Sequence, residues 1–234
     1  MTRQRQEFLW ALAILLVGVG VVLLVSRSRS AQAPEDASVP VETVQGVATN
    51  SNAVSSTRPP PSEGASDLVW PIDQVEERIS KKPFGLKVSP TQSPVSPERF
   101  SGFHTGVDFE TFSEEAEREV PVRALCSGKL LLKRAATGYG GVAVQACTVK
   151  GQAVTVVYGH LKLSSLSQRV GEELTQGEVF AVLGQGNSTE TGGERKHLHV
   201  GIHRGTAVDL RGYVSQEAEL DAWVDMRAFF EEER

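Results

Sequence analysis

Two short stretches, His104-Thr-Gly-Val-Asp108 and the distant His197-Leu-His199, constrain this chain more than anything else in it. Imidazole nitrogen and carboxylate oxygen are ligands that zinc favours, and a catalytic zinc site takes three of them and leaves one position open for water. His104, Asp108 and one histidine of the later pair make such a set, with the remaining histidine left to handle protons. On a straight strand the α-carbons of 104 and 108 would stand ~13 Å apart at ~3.3 Å per residue. That is too wide for ligands that each sit about 2 Å from one ion. The segment is therefore expected to bend, and Gly106 is the residue that bends at least cost. The later pair predicts a strand with positions 197, 199, 201 and 203 on one face and Leu198, Val200 and Ile202 on the other. Such a strand buries its aliphatic face and presents two imidazoles opposite.

The amino terminus carries a different signal. Phe8 to Val25 is a run of eighteen residues without a charge, long enough to span a bilayer. Arg3 and Arg5 precede it and Arg27 and Arg29 follow, so the flanking charges do not orient it. A long polar segment and a whole domain lie beyond, which favours an anchor with residues 1–7 cytoplasmic and the domain outside. The alternative is a secreted protein released by signal cleavage at Ala31-Gln-Ala33. The apolar run exceeds the usual signal core, and Pro34 directly follows that site. Residues 26–66 are rich in Ser, Ala, Pro and Thr without periodicity, the composition of a disordered linker. The folded domain is expected over 67–234.

Within that domain an acidic run, Glu110, Glu114, Glu115, Glu117 and Glu119, starts two residues after Asp108. It reads either as a solvated turn or as a rim of the cleft that attracts an amine-bearing substrate. The net charge of −5 gives no sign of nucleic-acid binding. Cys126 and Cys147 fall on opposite arms of an expected hairpin around Ala136 to Gly141. A disulfide is permitted outside the cytoplasm, but the register is open and free buried cysteines are common, so the expectation leans to free thiols.

From Val120 onward short β-branched and aliphatic runs alternate with glycine-containing turns, as at Lys150-Gly151. The pattern predicts a mainly β, antiparallel, sandwich-like domain. Trp70 is expected to lid the core, and Pro90, Pro94 and Pro97 make residues 89–99 an ordered loop at best. Leu220, Trp223, Met226 and Phe230 recur at helical spacing, predicting a packing helix over Gln216 to Phe230 capped by Ser215.

Five histidines occur in the chain, at 104, 160, 197, 199 and 203. His160, in Val157-Tyr-Gly-His-Leu161, reads on its own as a structural residue, and His203 as a surface or outer-shell residue. In combination, His104-x-x-x-Asp108, Tyr158-Gly-His160-Leu161 and His197-Leu-His199 resemble the lysostaphin/LytM-type zinc metallopeptidases, which cut peptides of bacterial peptidoglycan. The resemblance covers roughly Trp70 to Arg204. It implies zinc ligands His104, Asp108 and His199, with His160 and His197 as the catalytic pair acting with a zinc-activated water. It also implies a peptidoglycan peptide as substrate. Two positions depart from the family: Lys196 stands where proline usually precedes His-Leu-His, and Gly201 where an acidic residue often follows. The competing function is a non-catalytic envelope module that binds peptidoglycan or regulates other wall hydrolases.

Overall fold

The computed structural model describes residues 68–232. The expected anchor at 8–25, its cytoplasmic flank and the linker to residue 66 lie outside the described residues. Among the described residues no helix is long and apolar enough to cross a membrane.

The described chain is mainly β, as the alternation of short apolar runs and turns predicts. Its strands are β1 (Lys87–Val88), β2 (Gly102–His104), β3 (Gly106–Glu110), β4 (Pro121–Arg123), β5 (Gly128–Ala136), β6 (Gly140–Val149), β7 (Gln152–Gly159), β8 (Glu173–Leu174), β9 (Val179–Val182), β10 (His197–Arg204), β11 (Tyr213–Val214) and β12 (Trp223–Val224). Every strand pairing is antiparallel. The main sheet runs β12-β10-β7-β6-β5-β8, and β3 adds to the amino-terminal half of β10. Two smaller sheets, β1-β2-β11 and β4-β9, complete the set.

The two faces of β10 separate as its alternation predicts. Leu198, Val200 and Ile202 are buried in the principal core with Val107 and Phe109 of β3 and Val156 and Tyr158 of β7. Burying one such aliphatic side chain contributes about 2 kcal/mol, so a one-residue slip of β10 would forfeit several at once. Trp70 stacks on Phe230 with ring centroids 3.8 Å apart and meets Phe109 edge-on at 6.4 Å, the lid role expected of it. Gln145, fully buried, is satisfied by accepting from the Tyr158 hydroxyl at 2.7 Å and donating to the Cys126 carbonyl at 2.8 Å.

Three expectations need correction. The carboxy-terminal segment is not one helix: a 3-10 turn (Glu217–Ala222) leads into β12 and then α2 (Met226–Glu232), following α1 (Val75–Arg78) as the second α-helix of the described residues. Pairing of Trp223 with His203 and of Val224 with Ile202 takes this stretch into the sheet, overriding its helical spacing. Ser215 does not cap a helix; its hydroxyl and amide both donate to the Glu219 carboxylate. Second, Cys126 and Cys147 are joined in a disulfide across a Cα separation of 5.9 Å. Cys126 stands just before β5, outside the β5–β6 ladder, and Cys147 lies within β6, so a count of paired positions does not reveal the bridge. Third, the break between His104 and Asp108 falls at Thr105, where the chain leaves the small β1-β2-β11 sheet for the main one. Gly106 answers a different need: a Cβ there would overlap the Val200 carbonyl and the His199 ring.

The loop at residues 89–99 is ordered around Glu98, which forms a 2.6 Å ion pair with Lys82, both side chains 2% exposed. Burial raises the Glu98 carboxyl, but the Lys82 hydrogen bond and the Phe100 amide outweigh it and hold it below the ordinary value. The pair's contribution is thus complete above the unfolded carboxylate range and is lost as pH falls through the depressed folded value. Stability is expected to drop steeply below about pH 4.5, and Glu98→Gln to flatten that acid limb; thermal unfolding across pH measures both. Reduction, or Cys126→Ser with Cys147→Ser, is expected to remove about 3 kcal/mol, the chain-entropy value for a loop of this size, measured by denaturant unfolding; an intact mass unchanged by reductant would show that the bridge does not form.

Candidate metal centre

Register brings the two separated motifs together. On β10, His199 is paired with Asp108 of β3 on one side and with Gly159 of β7 on the other. Gly159 is required there, because a Cβ would collide with the Tyr139 ring and press on His199. His104 comes from the end of β2, paired with Tyr213 of β11.

The result is a compact group in which His104, Asp108 and His199 are all buried. His104 Nε2 lies 3.0 Å from His199 Nδ1 and 3.2 Å from Asp108 Oδ1, and His199 Nδ1 lies 3.1 Å from the same oxygen. The outer ring nitrogens define the tautomers. His104 Nδ1 donates to the Pro83 carbonyl at 3.1 Å, leaving Nε2 bare. His199 Nε2 lies 3.3 Å from the Tyr139 hydroxyl, and with Nε2 as the donor Nδ1 is the bare nitrogen. In these tautomers three electron pairs face one another, the arrangement in which a cation between them binds best. Ligands about 2.0–2.1 Å from a tetrahedral ion stand ~3.3 Å apart, close to the spacing found. Two imidazoles and a carboxylate fit zinc, and hydrogen bonds on the outer nitrogens of both histidines are what zinc-binding imidazoles need to hold their orientation.

His160 and His197 stand beside this group with ring centroids 4.2 Å apart. Continued strand alternation would send His160 into the core with Tyr158. Instead it takes a left-handed backbone, φ 64°, and lines the cavity over the three candidate ligands. Its Nδ1 donates to the Thr191 carbonyl at 3.1 Å, and His197 Nδ1 to the Arg195 carbonyl at 2.9 Å. In both rings the Nε2 atom is thus the one free to act, and that of His197 lies 3.2 Å from Asp108 Oδ2. Burial, reinforced by His197, holds His160 well below the usual imidazole range, and burial brings His199 down to about 4. Burial would raise the Asp108 carboxyl, but the facing His197 and His104 imidazoles outweigh it and keep it well below its ordinary value. Burial pushes the Tyr139 phenol far up, so it stays protonated.

All five residues singled out in the sequence are brought together, while His203 stays apart, 3.9 Å from Asp209 and edge-on to Trp223. Sequence reasoning missed Tyr139, Arg195, Lys82 and Tyr213, which also line the cavity; Arg195 stands two residues before His197 and Tyr139 far from every motif in sequence, and neither carries a spacing signal of its own. The acidic run does not rim this cavity. Glu110 is tied to Arg195 and Lys81, Glu115 to Arg78, and Glu119 to Lys162, while Glu117 takes the Gln185 amide. Lys196, at the position where the family usually has proline, donates to the main-chain carbonyls of Glu115, Ala116 and Arg118 and so clamps that segment down. At Gly201, the other departure, the Trp223 ring fills the space a side chain would need.

Comparison with known proteins agrees with this arrangement. Residues 102–210 match the model of peptidase family M23. No curated protein sequence matches the chain. Among solved structures, LytU is 18% identical, with 72% of this chain and 86% of that one covered and a TM-score of 0.42. For cbpa from L. salivarius REN the identity is 22%, the coverage 72% and 97%, and the TM-score 0.45. For the catalytic domain of lysostaphin from Staphylococcus simulans the values are 20%, 64% and 88%, and 0.40. The matched segment starts in the strand that delivers His104 and runs past the one that delivers His199, so both halves of the candidate metal centre fall inside the stretch that is similar to peptidase family M23.

Proposed function

We propose that this chain is a membrane-anchored, zinc-dependent endopeptidase that hydrolyses peptide bonds in bacterial peptidoglycan. The observation that carries the catalytic part is the convergence of three potential ligand atoms from His104, Asp108 and His199 within 3.0–3.2 Å of one another. The substrate class rests on the family resemblance of the three motifs. Placement of the domain outside the cytoplasm is supported by the Cys126–Cys147 bridge, a linkage that persists in oxidising compartments, and by the uncharged run at residues 8–25.

Zinc held by this set would supply a Lewis acid that polarises the scissile carbonyl and acidifies water. The remaining work belongs to the two neighbouring imidazoles. Neutral His160, its Nδ1 hydrogen committed to Thr191, accepts the proton of the attacking water at Nε2. His197, its Nε2 3.2 Å from Asp108 Oδ2 and its ring 4.2 Å from that of His160, passes a proton on to the leaving amine. Arg195 and Thr191 act through their carbonyls, holding both rings with Nε2 toward the cavity.

His199→Ala is expected to lose bound zinc and hydrolysis together, whereas His160→Ala keeps zinc and loses about 10²–10⁴-fold in turnover. Elemental analysis of the purified protein, paired with release of soluble fragments from peptidoglycan with and without chelator, tests both; zinc retained by His199→Ala would overturn the assignment. Because burial depresses His160, the base stays neutral below the usual imidazole range and is lost only as pH falls through its lowered value. The acid limb of kcat is therefore expected below pH 6.5, and a limb at or above that value would exclude His160 as the proton acceptor.

A further inference from the structure

The residue immediately before the clamp lysine, Arg195, reaches both carboxylates on its side of β3. Asp108 and Glu110 are two positions apart, so their side chains share a strand face, and like charges on one buried face oppose each other. The Arg195 guanidinium lies across both. Its Nε donates to the Glu110 oxygens at 3.0 and 2.9 Å, and one terminal nitrogen donates to Glu110 Oε1 at 2.5 Å and to Asp108 Oδ2 at 2.9 Å. Lys81 holds Glu110 from the other side at 3.2 Å. The guanidinium is largely shielded, with its side chain 20% exposed. The same residue's carbonyl receives the His197 Nδ1 hydrogen.

We infer that Arg195 is a positioning residue of the metal centre: by occupying Asp108 Oδ2 it leaves Oδ1 as the one carboxylate oxygen turned toward the His104 and His199 imidazoles. This rests on the reading that His104, Asp108 and His199 hold zinc. A carboxylate rotates easily about its last torsion, so an unheld Asp108 would offer either oxygen, or both, to the site. A planar fork with several fixed donors can bridge two carboxylates and set the plane of each; a lysine ammonium is a point charge and cannot. The opposing electrostatic effect is plain. A positive group beside a ligand carboxylate weakens its pull on a cation, so a role of charge alone would make Arg195 a penalty on binding. The two roles thus give opposite signs.

The test is the zinc dissociation constant of the full-length protein, measured by competition with a chromophoric chelator, for wild type, Arg195→Gln and Arg195→Lys. Thermal unfolding of the metal-free forms is recorded alongside. Positioning predicts that both variants bind zinc about 10–100-fold more weakly while their metal-free unfolding midpoints stay near that of wild type. It further predicts that the visible spectrum of the cobalt-substituted variants departs from that of wild type, because the carboxylate contact changes. Tighter or unchanged binding in Arg195→Gln, or a wild-type affinity in Arg195→Lys, overturns the inference. So does a collapse of metal-free stability in both variants, which would make the residue a structural one. Failure of wild type itself to bind zinc would sink the underlying metal reading instead, so the two failures are distinguishable.

Discussion

A single register decides this molecule: β10 is paired on both sides at His199, with Asp108 across one ladder and Gly159 across the other. Side chains alternate along a strand, so this pairing sends Leu198, Val200 and Ile202 to the core and His197 and His199 to the cavity in one stroke. A shift of one residue would reverse the sheet's faces and scatter the donors. The apolar burial that stabilises the sheet is therefore the same burial that assembles the candidate metal centre. The glycines at 106 and 159 follow from this pairing, since each gives up its side chain where β10 and its neighbours come closest.

Around that centre, every imidazole that matters has its outer nitrogen committed. Pro83 and Tyr139 hold the two candidate ligands, and Thr191 and Arg195 hold the two candidate proton carriers. Most of these partners are main-chain carbonyls, which cannot turn away or change protonation. The site is thereby set by the path of the backbone, and its chemistry is prepared before any substrate arrives.

The strand alternation in residues 197–204 and the grouping of five residues from three motifs could be read from sequence, because period-two patterning and metal-ligand chemistry both leave local marks. What could not be read depends on partners distant in the chain. The disulfide joins β6 to a residue outside the β5 ladder, where no register count reaches. The tail's helical spacing was real but lost to two residues of sheet pairing at Trp223 and Val224. Arg195 and Tyr139 acquire meaning only once their neighbours are placed, and the acidic run looked like a cleft rim because the cations that neutralise it, Arg78, Lys81, Lys162 and Arg195, lie outside it in sequence.

That neutralisation extends around the cavity. Glu98 has Lys82, Glu194 has Arg99, Glu110 has Arg195, and Glu115 has Arg78. Glu110 shares Arg195 with Asp108 and also has Lys81, so these carboxylates are held by cations of the chain. Among the described residues, His104, Asp108 and His199 form the one grouping of potential ligands dense enough to sequester a metal. The candidate ligands are thus offered as a single set, while the other acids near the cavity hold loops in place.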